Sequence, residues 1–374
     1  MSVATLKELY TQTRTGRTNE PTFRTMDKYI ALLRQLIATP SYSREENLTA
    51  DLLAAFLAGE GMEEVRRAHN NVWVYNRYFD SAKPTILLNS HHDTVKPNGA
   101  YTRDPFSPDI EDGKLYGLGS NDAGASVVSL IAAFGHFYRT EGMKYNLCLA
   151  LTAEEEVSGQ NGIESILPQL GELSFAIVGE PTGMHLAIAE RGLMVLDCVA
   201  HGRAGHAARN EGENAIYKAM KDIEWFRTYR FPQESELFGN VRMSVTVINA
   251  GTQHNVVPAE CRFTVDVRVT DRYTNEEVLE IVREHVESEV IPRSTRLKPS
   301  YIDPSHPIVA AGLALGRKTY GSPTTSDQAL LSIPSLKMGP GDSARSHSAD
   351  EFVHVEEIET GIRQYIAMLG AVCL

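Results

Sequence analysis

The sequence predicts an α/β fold in which a mostly parallel sheet is flanked by helices and carries an inserted α+β ferredoxin-like domain. Two observations support this prediction. In residues 25–180, helical patterns alternate with short, continuously apolar strands, and such strands are typical of a parallel sheet covered on both faces. From about residue 184, the predicted order becomes strand, helix, two strands, helix and strand, which is the order of a ferredoxin-like unit.

The helices and strands of the first domain follow from hydrophobic spacing. Apolar residues recur every three or four positions in 25–39, which Pro40 ends, and in 45–60. A third helix is predicted to begin near Gly124. Continuously apolar runs predict strands at residues 72–75, 85–89, 147–151 and 175–178. Residues 1–24 are polar and irregular, and we expect them to form a short leading helix or arm.

The inserted domain is predicted at residues 184–293, and it divides the first domain into 1–183 and 294–374. Polar and apolar residues alternate along 261–268, so one face of its sheet is expected to be solvated. Its predicted elements are strands at 192–200, 241–249, 261–268 and 294–299 and helices at 213–228 and 275–290. The first domain then resumes with a helix at 307–319, a strand at 335–338 and a last helix near 355–369.

Composition excludes several classes of function. The chain has 374 residues, enough for two domains, and its 48 acidic and 36 basic residues give a net charge of −12. That balance argues against a surface that binds nucleic acid or an anionic membrane. No apolar run reaches the roughly 18 residues of a membrane helix, and the start lacks the apolar core of a signal peptide, so a cytoplasmic protein is expected. Its four cysteines are scattered, and we expect small core residues rather than disulfides.

Histidines and carboxylates follow the apolar strands or lie in glycine-rich turns. The residues are His91, Asp93, Asp122, Glu155, Glu156, Glu180 and His347. Sites in parallel sheets form beyond the carboxyl ends of the strands, where His91 and the glutamates are expected. Each of these residues, taken alone, has an interpretation without a metal. His91 could lie in an ordinary loop, Asp122 could cap a helix, and the glutamates could lie in a solvated turn. Together, however, two histidines and several acids suit a site for two metal ions, since zinc takes imidazole nitrogen and carboxylate oxygen.

Five motifs in this order resemble the di-zinc amidohydrolases, a family that includes acetylornithine deacetylase, succinyl-diaminopimelate desuccinylase, aminoacylase and the glutamate carboxypeptidases. The motifs are residues 90–95 (Ser-His-His-Asp-Thr-Val), 119–122 (Gly-Ser-Asn-Asp), 153–156 (Ala-Glu-Glu-Glu), 179–182 (Gly-Glu-Pro-Thr) and 339–348, which contains Gly339-Pro-Gly341 and Ser346-His347-Ser348. The resemblance extends from about residue 25 to the end. It implies a zinc-peptidase-like fold whose inserted domain is a lid that also forms a dimer.

The resemblance assigns a role to each residue of the set and implies two Zn²⁺ per subunit, with Co²⁺ as a candidate substitute. His91 and Glu180 would hold one zinc ion, and Glu156 and His347 the other. Asp122 would bridge both ions and be followed by a cis peptide bond. Asp93 would orient His91, and Glu155 would be the general base. Where relatives often carry Lys and Gly after the bridging Asp, this chain has residues 123–125 as Ala-Gly-Ala, which leaves any role of that Lys open.

The inserted domain carries further residues that match the family. His206, in the segment 202–208, matches a histidine that reaches the active site of the partner subunit, and its alternative is a loop histidine on the surface. Asn255 and Arg268 match positions that contact the substrate and its carboxylate, for which a planar guanidinium is suited. Arg268 could equally form a salt bridge on the face of its strand. Thr324 is a further candidate for substrate contact.

The resemblance implies hydrolysis of the amide bond of an N-acyl amino acid by a homodimer. Glu155 would take a proton from water and pass it to the departing amine, and His206 of the other subunit would face the oxyanion. Within the family, the chain most resembles the acetylornithine deacetylase branch. That resemblance points to N-acetylornithine, or to acetyl or succinyl forms of ornithine or citrulline, as the substrate in arginine biosynthesis. Succinyl-diaminopimelate desuccinylase, aminoacylase and dipeptidase activities use the same chemistry and stay open. A non-catalytic metal-binding interaction protein is the alternative from another class, and the presence of Glu155 argues against it.

Overall fold

The computed structural model describes residues 23–209 and 211–374. The predicted leading arm, residues 1–24, lies almost wholly outside this part of the chain. The chain divides into two compact units. The second comprises Ala189–Tyr301 and Gly321–Thr325, and the first comprises the described residues up to Ile188 together with Ile302–Tyr320 and Ser326–Leu374.

The described residues form the following regular elements. The α-helices are α1 Phe23–Ile37, α2 Asn47–Gly59, α3 Ala125–Phe137, α4 Ile163–Ile166, α5 Ala215–Thr228, α6 Asn275–His285, α7 Pro307–Ala314 and α8 Val355–Cys373. The strands are β1 Arg66–Ala68, β2 Asn71–Tyr75, β3 Thr85–His91, β4 Ile110–Glu111, β5 Lys114–Tyr116, β6 Asn146–Thr152, β7 Leu173–Val178, β8 Leu186–Glu190, β9 Gly192–His201, β10 Gly205–His206, β11 Arg242–Ala250, β12 Val256–Val257, β13 Glu260–Val269, β14 Glu289–Pro292, β15 Ser300–Tyr301, β16 Thr319–Ser322, β17 Ser335–Lys337 and β18 Phe352–His354.

The sheet of the first unit has four parallel strands at its centre. Its strands lie in the order β1-β2-β6-β3-β7-β17-β8. The neighbours β6, β3, β7 and β17 run parallel to one another, whereas β2 pairs with β6 and β17 with β8 in antiparallel fashion. The prediction of a mostly parallel sheet is therefore confirmed. Because parallel strands end at the same edge, the residues that follow β3, β6, β7 and β17 are brought together there.

Both faces of this sheet are covered, which explains why its strands are continuously apolar. Ile86 and Leu88 of β3 belong to the large core that includes residues of α1, α2, α3 and α8. Leu87 points to the other face and packs with Ile163 and Ile166 of α4. All seven residues of β3 are buried. The strand is thus held rigidly on two sides, and His91, its last residue, is fixed in position.

The second unit has the predicted ferredoxin-like order of elements. Its strands lie in the order β11-β13-β9-β14, all antiparallel, and α5 and α6 separate them in the chain. Val265 and Val267 of β13 are buried in the core of this unit, whereas Asp266 and Arg268 point to its other face and are half-buried. The alternation seen in the sequence therefore distinguishes the two faces of this sheet, as expected for an antiparallel sheet with one solvated face.

Several predicted boundaries were wrong. The helix predicted at 275–290 ends at His285, because residues 289–292 pair with β9 as β14. No strand is found at 294–299, where Asn275 binds the carbonyl groups of Thr295 and Leu297 through its side-chain amide. The helix predicted at 307–319 ends at Ala314. Gly316 adopts a φ of 77° just beyond it, a left-handed conformation that favours glycine and ends helices.

The predicted domain ranges, 1–183, 184–293 and 294–374, stay a prediction. In the structure the second unit extends to Tyr301. Residues 294–301 contact this unit through the backbone, since the N–H of Leu193 donates to the carbonyl oxygen of Leu297 at 3.0 Å. Within residues 23–209 and 211–374, no helix has both the length and the apolar composition that crossing a membrane requires. The four cysteines are free and buried, as predicted.

Candidate metal centre

The first group of potential metal ligands lies at the carboxyl edge of the central sheet. His91 ends β3, Glu180 follows β7 after one glycine, and Asp122 lies in the turn that precedes α3. The Nε2 atom of His91 is 3.2 Å from Oδ1 of Asp122 and 3.6 Å from Oε1 of Glu180. The donor atoms of these three residues all lie within 4.8 Å of one another. His91 and Glu180 are buried, so this group is well shielded from solvent.

A second group shares Asp122 with the first. It consists of Asp122, Glu156 and His347, with donor atoms again within 4.8 Å of one another. Nε2 of His347 is 2.9 Å from Oε2 of Glu156 and 3.7 Å from Oδ2 of Asp122. The two oxygens of Asp122 thus point to different histidines, Oδ1 to His91 and Oδ2 to His347.

These donors fit a pair of zinc ions. Each group offers one imidazole nitrogen and carboxylate oxygens, which are the donors that zinc takes in catalytic sites. A carboxylate shared between two groups is the arrangement expected for a ligand that bridges two ions. The structure therefore brings together all five residues predicted as ligands, and their individual roles stay a prediction.

The electrostatics of the centre favour a cation. Burial opposes protonation of His91, but Glu155, Asp122, Asp93 and Glu180 surround its ring and hold its pKa well above its usual value. The hydrogen bond to Glu156 raises the pKa of His347 to about 9. Both imidazoles therefore lie in a strongly negative environment, and the same carboxylates would attract a metal ion.

Glu155 lies beside the first group in a buried, negatively charged environment. Its Oε2 atom is 3.8 Å from Nε2 of His91. Burial raises the pKa of Glu155 well above its usual value, and the carboxylates of Glu180, Asp327 and Glu156 raise it further, while His91 opposes them. A carboxyl group with a raised pKa can both accept a proton near neutral pH and return it, which an ordinary glutamate does poorly.

Asp93 connects the end of β3 to the turn that carries both glutamates. Its Oδ1 accepts the N–H of Glu155 at 3.1 Å, and its Oδ2 accepts the N–H of Glu156 at 3.2 Å and the hydroxyl of Ser43 at 2.7 Å. Nδ1 of His91 is 3.0 Å from the backbone oxygen of Asp93 and 3.4 Å from its carboxylate. Besides its predicted role of orienting His91, Asp93 therefore positions the backbone of Glu155 and Glu156.

Glu351 is a residue whose place at the centre the sequence did not reveal. It is 2% exposed, and its carboxylate accepts the N–H groups of Asn121 at 2.8 Å, Asp122 at 2.9 Å and Gly119 at 3.1 Å. It thereby fixes the turn that presents Asp122, in which the Asp122–Ala123 peptide bond is cis as the resemblance implied. Burial and the charge of Asp122 raise the pKa of Glu351 to about 8. The only feature of the sequence that points to Glu351 is that it is an acid four positions after His347.

Asp327 is a second residue near the centre that the sequence did not reveal. It is 3% exposed and accepts the hydroxyl proton of Thr152 at 2.7 Å, at the end of β6. Burial raises the pKa of Asp327 to about 6. The sequence made Thr324 a candidate but not Asp327, because nothing in the pattern shows that the chain returns to the strand ends after residue 324.

His92 lies next to His91 and has different neighbours. Its Nδ1 is 2.9 Å from the hydroxyl of Thr49, and its Nε2 is 2.9 Å from the backbone oxygen of Asn70. Burial lowers the pKa of His92 to about 4, so the ring is neutral near pH 7. It joins the start of α2 to the hairpin that leads into β2 and has no place among the potential ligands.

The remaining predicted site residues lie in the second unit. His206, Asn255 and Thr324 are exposed, and His206 lies in β10, which pairs with β12. Arg268 forms a salt bridge with Asp266 on the same strand face, with Nε 2.8 Å from Oδ1, which is the alternative that the sequence left open. Whether these residues contact a substrate stays a prediction.

Comparisons with known proteins agree with this architecture. A succinyl-diaminopimelate desuccinylase of Cereibacter sphaeroides is 32% identical over 261 residues, which is 66% of this chain and 68% of the relative. The crystal structure of aminopeptidase PepT from Bacillus cereus has a TM-score of 0.72 at 18% identity and covers 93% of this chain and 98% of its own. A dinuclear metal-binding M20 peptidase of Bacillus subtilis has a TM-score of 0.70 at 19% identity, with coverage of 93% and 98%.

The sequence model of one family also matches most of the chain. The match covers residues 87–371 and therefore includes all five predicted ligands and Glu155. It supports the family of the sequence resemblance without selecting its acetylornithine deacetylase branch. The family match, the desuccinylase relative and the shared fold together show that this chain is a metal-dependent hydrolase and belongs to the peptidase family M20/M25/M40.

Proposed function

We propose that this chain hydrolyses the amide bond of an N-acyl amino acid with two Zn²⁺ ions per subunit. The observation that supports this proposal most directly is the pair of ligand groups that share Asp122, with Glu155 beside them. In the proposal, His91 and Glu180 bind one ion, Glu156 and His347 bind the other, and Asp122 bridges them. When bound, such ions polarise the amide carbonyl and lower the pKa of water.

Glu155 moves the proton in this proposal. It takes a proton from the attacking water and later gives it to the departing amine, so that the amine leaves uncharged. The raised pKa of Glu155 suits both steps. His206 of the partner subunit is proposed to donate to the oxygen that becomes negative when water attacks. Asn255, Arg268 and Thr324 are proposed to bind the rest of the substrate, Arg268 through the carboxylate of the amino acid.

The proposal also concerns which acyl group and which amino acid make up the substrate. The sequence resemblance favours N-acetylornithine or an acetyl or succinyl form of ornithine or citrulline, whereas the desuccinylase relatives favour a succinyl group. Release of free amine should be measured with zinc-loaded protein on N-acetyl and N-succinyl ornithine, the same forms of citrulline, succinyl-diaminopimelate and simple dipeptides. We expect one N-acyl amino acid to be hydrolysed far faster than the others. Absence of hydrolysis across this panel, with two zinc ions bound per chain, would refute the assignment to acyl forms of ornithine, citrulline and diaminopimelate.

Replacement of the proposed base tests the chemistry separately. Glu155→Gln removes the proton acceptor and keeps the shape, so kcat should fall by about 10²- to 10⁴-fold while both zinc ions remain bound. Glu172→Gln, which removes the same charge from an exposed position, is the matched control and should keep full activity. Zinc content and kcat should be measured on the same samples. A Glu155→Gln variant that keeps its turnover would exclude Glu155 as the base.

Replacement of Asp93 tests how the ligands are positioned. An asparagine side chain cannot accept from both backbone N–H groups of the 155–156 turn and also from Ser43, so Asp93→Asn should weaken zinc binding by about 10- to 100-fold. Competition with a chelator measures this affinity without relying on turnover. Asp51→Asn, at an exposed salt bridge with Arg67, should leave the affinity unchanged. Equal affinity in Asp93→Asn and the native protein would contradict the proposed role.

The proposed contribution of His206 across a homodimer can be tested by mixing subunits. His206→Ala and Glu155→Gln should each be inactive, but a mixed dimer would have one complete site. After full exchange, about half of the dimers are mixed, so about a quarter of the native activity should return. Mass spectrometry of the intact dimers checks the exchange. If mixed dimers form and no activity returns, His206 does not act across the subunits.

A further inference from the structure

His347 differs from the other potential ligands because its side chain lies mostly in solvent. Its side chain is 55% exposed, whereas that of His91 is 1% exposed and that of Glu156 is 7% exposed. Packing around the ring therefore contributes little to its position. His347 also adopts a φ of 58°, a left-handed backbone conformation that residues other than glycine rarely adopt. Such a conformation persists only where surrounding contacts enforce it, so contacts outside the two ligand groups have to hold this part of the chain.

Asp350 attaches the turn that carries His347 to the segment 98–103. Its Oδ1 atom accepts the N–H groups of Thr102 and Arg103, each at 2.9 Å. Its Oδ2 atom accepts the hydroxyl proton of Thr102. Asp350 itself has a φ of 53°, so these bonds fix a second left-handed residue in the same turn.

Asn98 provides a second attachment, at His347 itself. Its side-chain amide donates to the backbone oxygen of His347 at 3.2 Å, and its Oδ1 atom accepts the N–H of Ala100 at 3.0 Å. The bond to Ala100 restricts rotation of the Asn98 side chain and keeps its amide directed at the turn. The turn is thus attached at its first residue, His347, and at its last, Asp350.

The segment 98–103 is itself anchored to regular structure. The guanidinium of Arg103 binds Glu111 through two hydrogen bonds, at 2.9 Å and 2.5 Å, and lies over the ring of Tyr116, 4.0 Å from its centroid. Glu111 belongs to β4 and Tyr116 to β5. Strand β5 also pairs with β18, which begins shortly after Asp350. The bonds of Asp350 therefore connect the turn to a small sheet and not only to another loop.

Arg345 holds the chain that leads into the turn. Its guanidinium binds Glu357 of α8 through two hydrogen bonds, at 2.9 Å and 2.6 Å, and its backbone oxygen accepts the hydroxyl proton of Ser348 at 2.6 Å. These contacts remain when Asp350 is replaced. We therefore expect such a variant to stay folded, with His347 less well placed.

We propose that Asp350 and Asn98 are positioning residues for His347, and that Asp350 determines how tightly the zinc ion of the Glu156 and His347 group is bound. The proposal rests on the two-ion centre proposed above. A ligand that is already held in place loses little conformational freedom when it binds an ion, whereas a mobile ligand loses more and binds more weakly. Asp350 acts through its hydrogen bonds to the segment 98–103 and not through its charge.

Titration of zinc against a competing chelator tests this proposal on the full chain. The native protein should hold two zinc ions, and Asp350→Ala should bind one of them about 10- to 100-fold more weakly while the affinity for the other changes less than about twofold. Asp350→Asn should keep most of the affinity, because an amide oxygen still accepts the N–H groups of Thr102 and Arg103. Asp104→Ala is the matched control, because Asp104 is exposed and accepts the N–H of Phe106 within its own turn, and it should leave both affinities unchanged.

The weakened ion can be assigned with His347→Ala. The chelator concentration is set so that the native protein keeps two zinc ions, and Asp350→Ala and His347→Ala should then each keep one. The variant that combines both changes should also keep one, because both changes affect the same ion. A combined variant that keeps none would show that Asp350 acts on the other ligand group and would overturn the proposal.

Other outcomes would also contradict it. Both ions bound by Asp350→Ala as tightly as by the native chain, or both weakened equally, would exclude a specific role toward His347. Equal losses in Asp350→Ala and Asp350→Asn would assign the effect to charge and exclude the hydrogen bonds. If circular dichroism shows that Asp350→Ala does not fold, Asn98→Ala replaces it and should weaken the same ion by about threefold, since it removes one hydrogen bond. Unchanged affinity in that variant would overturn the proposal.

Failure of the proposed function is distinguishable from failure of this inference. A native chain that binds only one zinc ion would refute the two-ion centre and the inference with it. A native chain that binds two zinc ions, with Asp350→Ala unaffected, would refute the inference alone.

Discussion

Two buried carboxylates that accept backbone N–H groups hold the candidate metal centre in place. Asp93 binds the turn of Glu155 and Glu156, and Glu351 binds the turn of Asp122. Each side chain replaces its lost hydration with several hydrogen bonds from N–H or hydroxyl groups, which makes its burial tolerable. The potential ligands come from segments that are far apart in the chain. The paired strands β3 and β7 place His91 and Glu180, whereas the two carboxylates fix the turns that carry Glu156 and Asp122. The geometry of the centre therefore depends on residues that are not themselves in either ligand group.

The centre also concentrates negative charge where solvent cannot screen it. Asp122, Glu155 and Glu180 lie within 4 Å of the buried imidazole of His91. Burial raises the pKa of Glu155 and of Glu351, and neighbouring carboxylates raise both further, whereas Asp122, bound by His91, has a lowered pKa. A site built this way is stabilised by added cations.

The sequence predicted the parts of the structure that follow from local pattern. The apolar runs gave β3, β6 and β7, and their parallel arrangement then placed His91, Glu155 and Glu180 at one edge. Element ends were less certain, because they depend on tertiary pairing: residues 289–292 extend the helical pattern of α6 and yet pair with β9. Asp327 and Glu351 were missed because their roles consist of contacts with backbone or hydroxyl groups of distant segments, and a single sequence contains no trace of such contacts.

The charge of the candidate metal centre constrains what the chain can bind. An N-acyl amino acid carries a carboxylate, and the acidic groups around His91 would repel it. Metal ions offset part of this repulsion only near the scissile amide, so the carboxylate itself requires a positive group that does not belong to the ligand set. Arg268 is proposed to be that group, because its planar guanidinium can hold a carboxylate through two hydrogen bonds. Binding a cation and binding a carboxylate are opposite electrostatic tasks, so the ligand carboxylates and the arginine proposed for the substrate have to be separate sets of side chains.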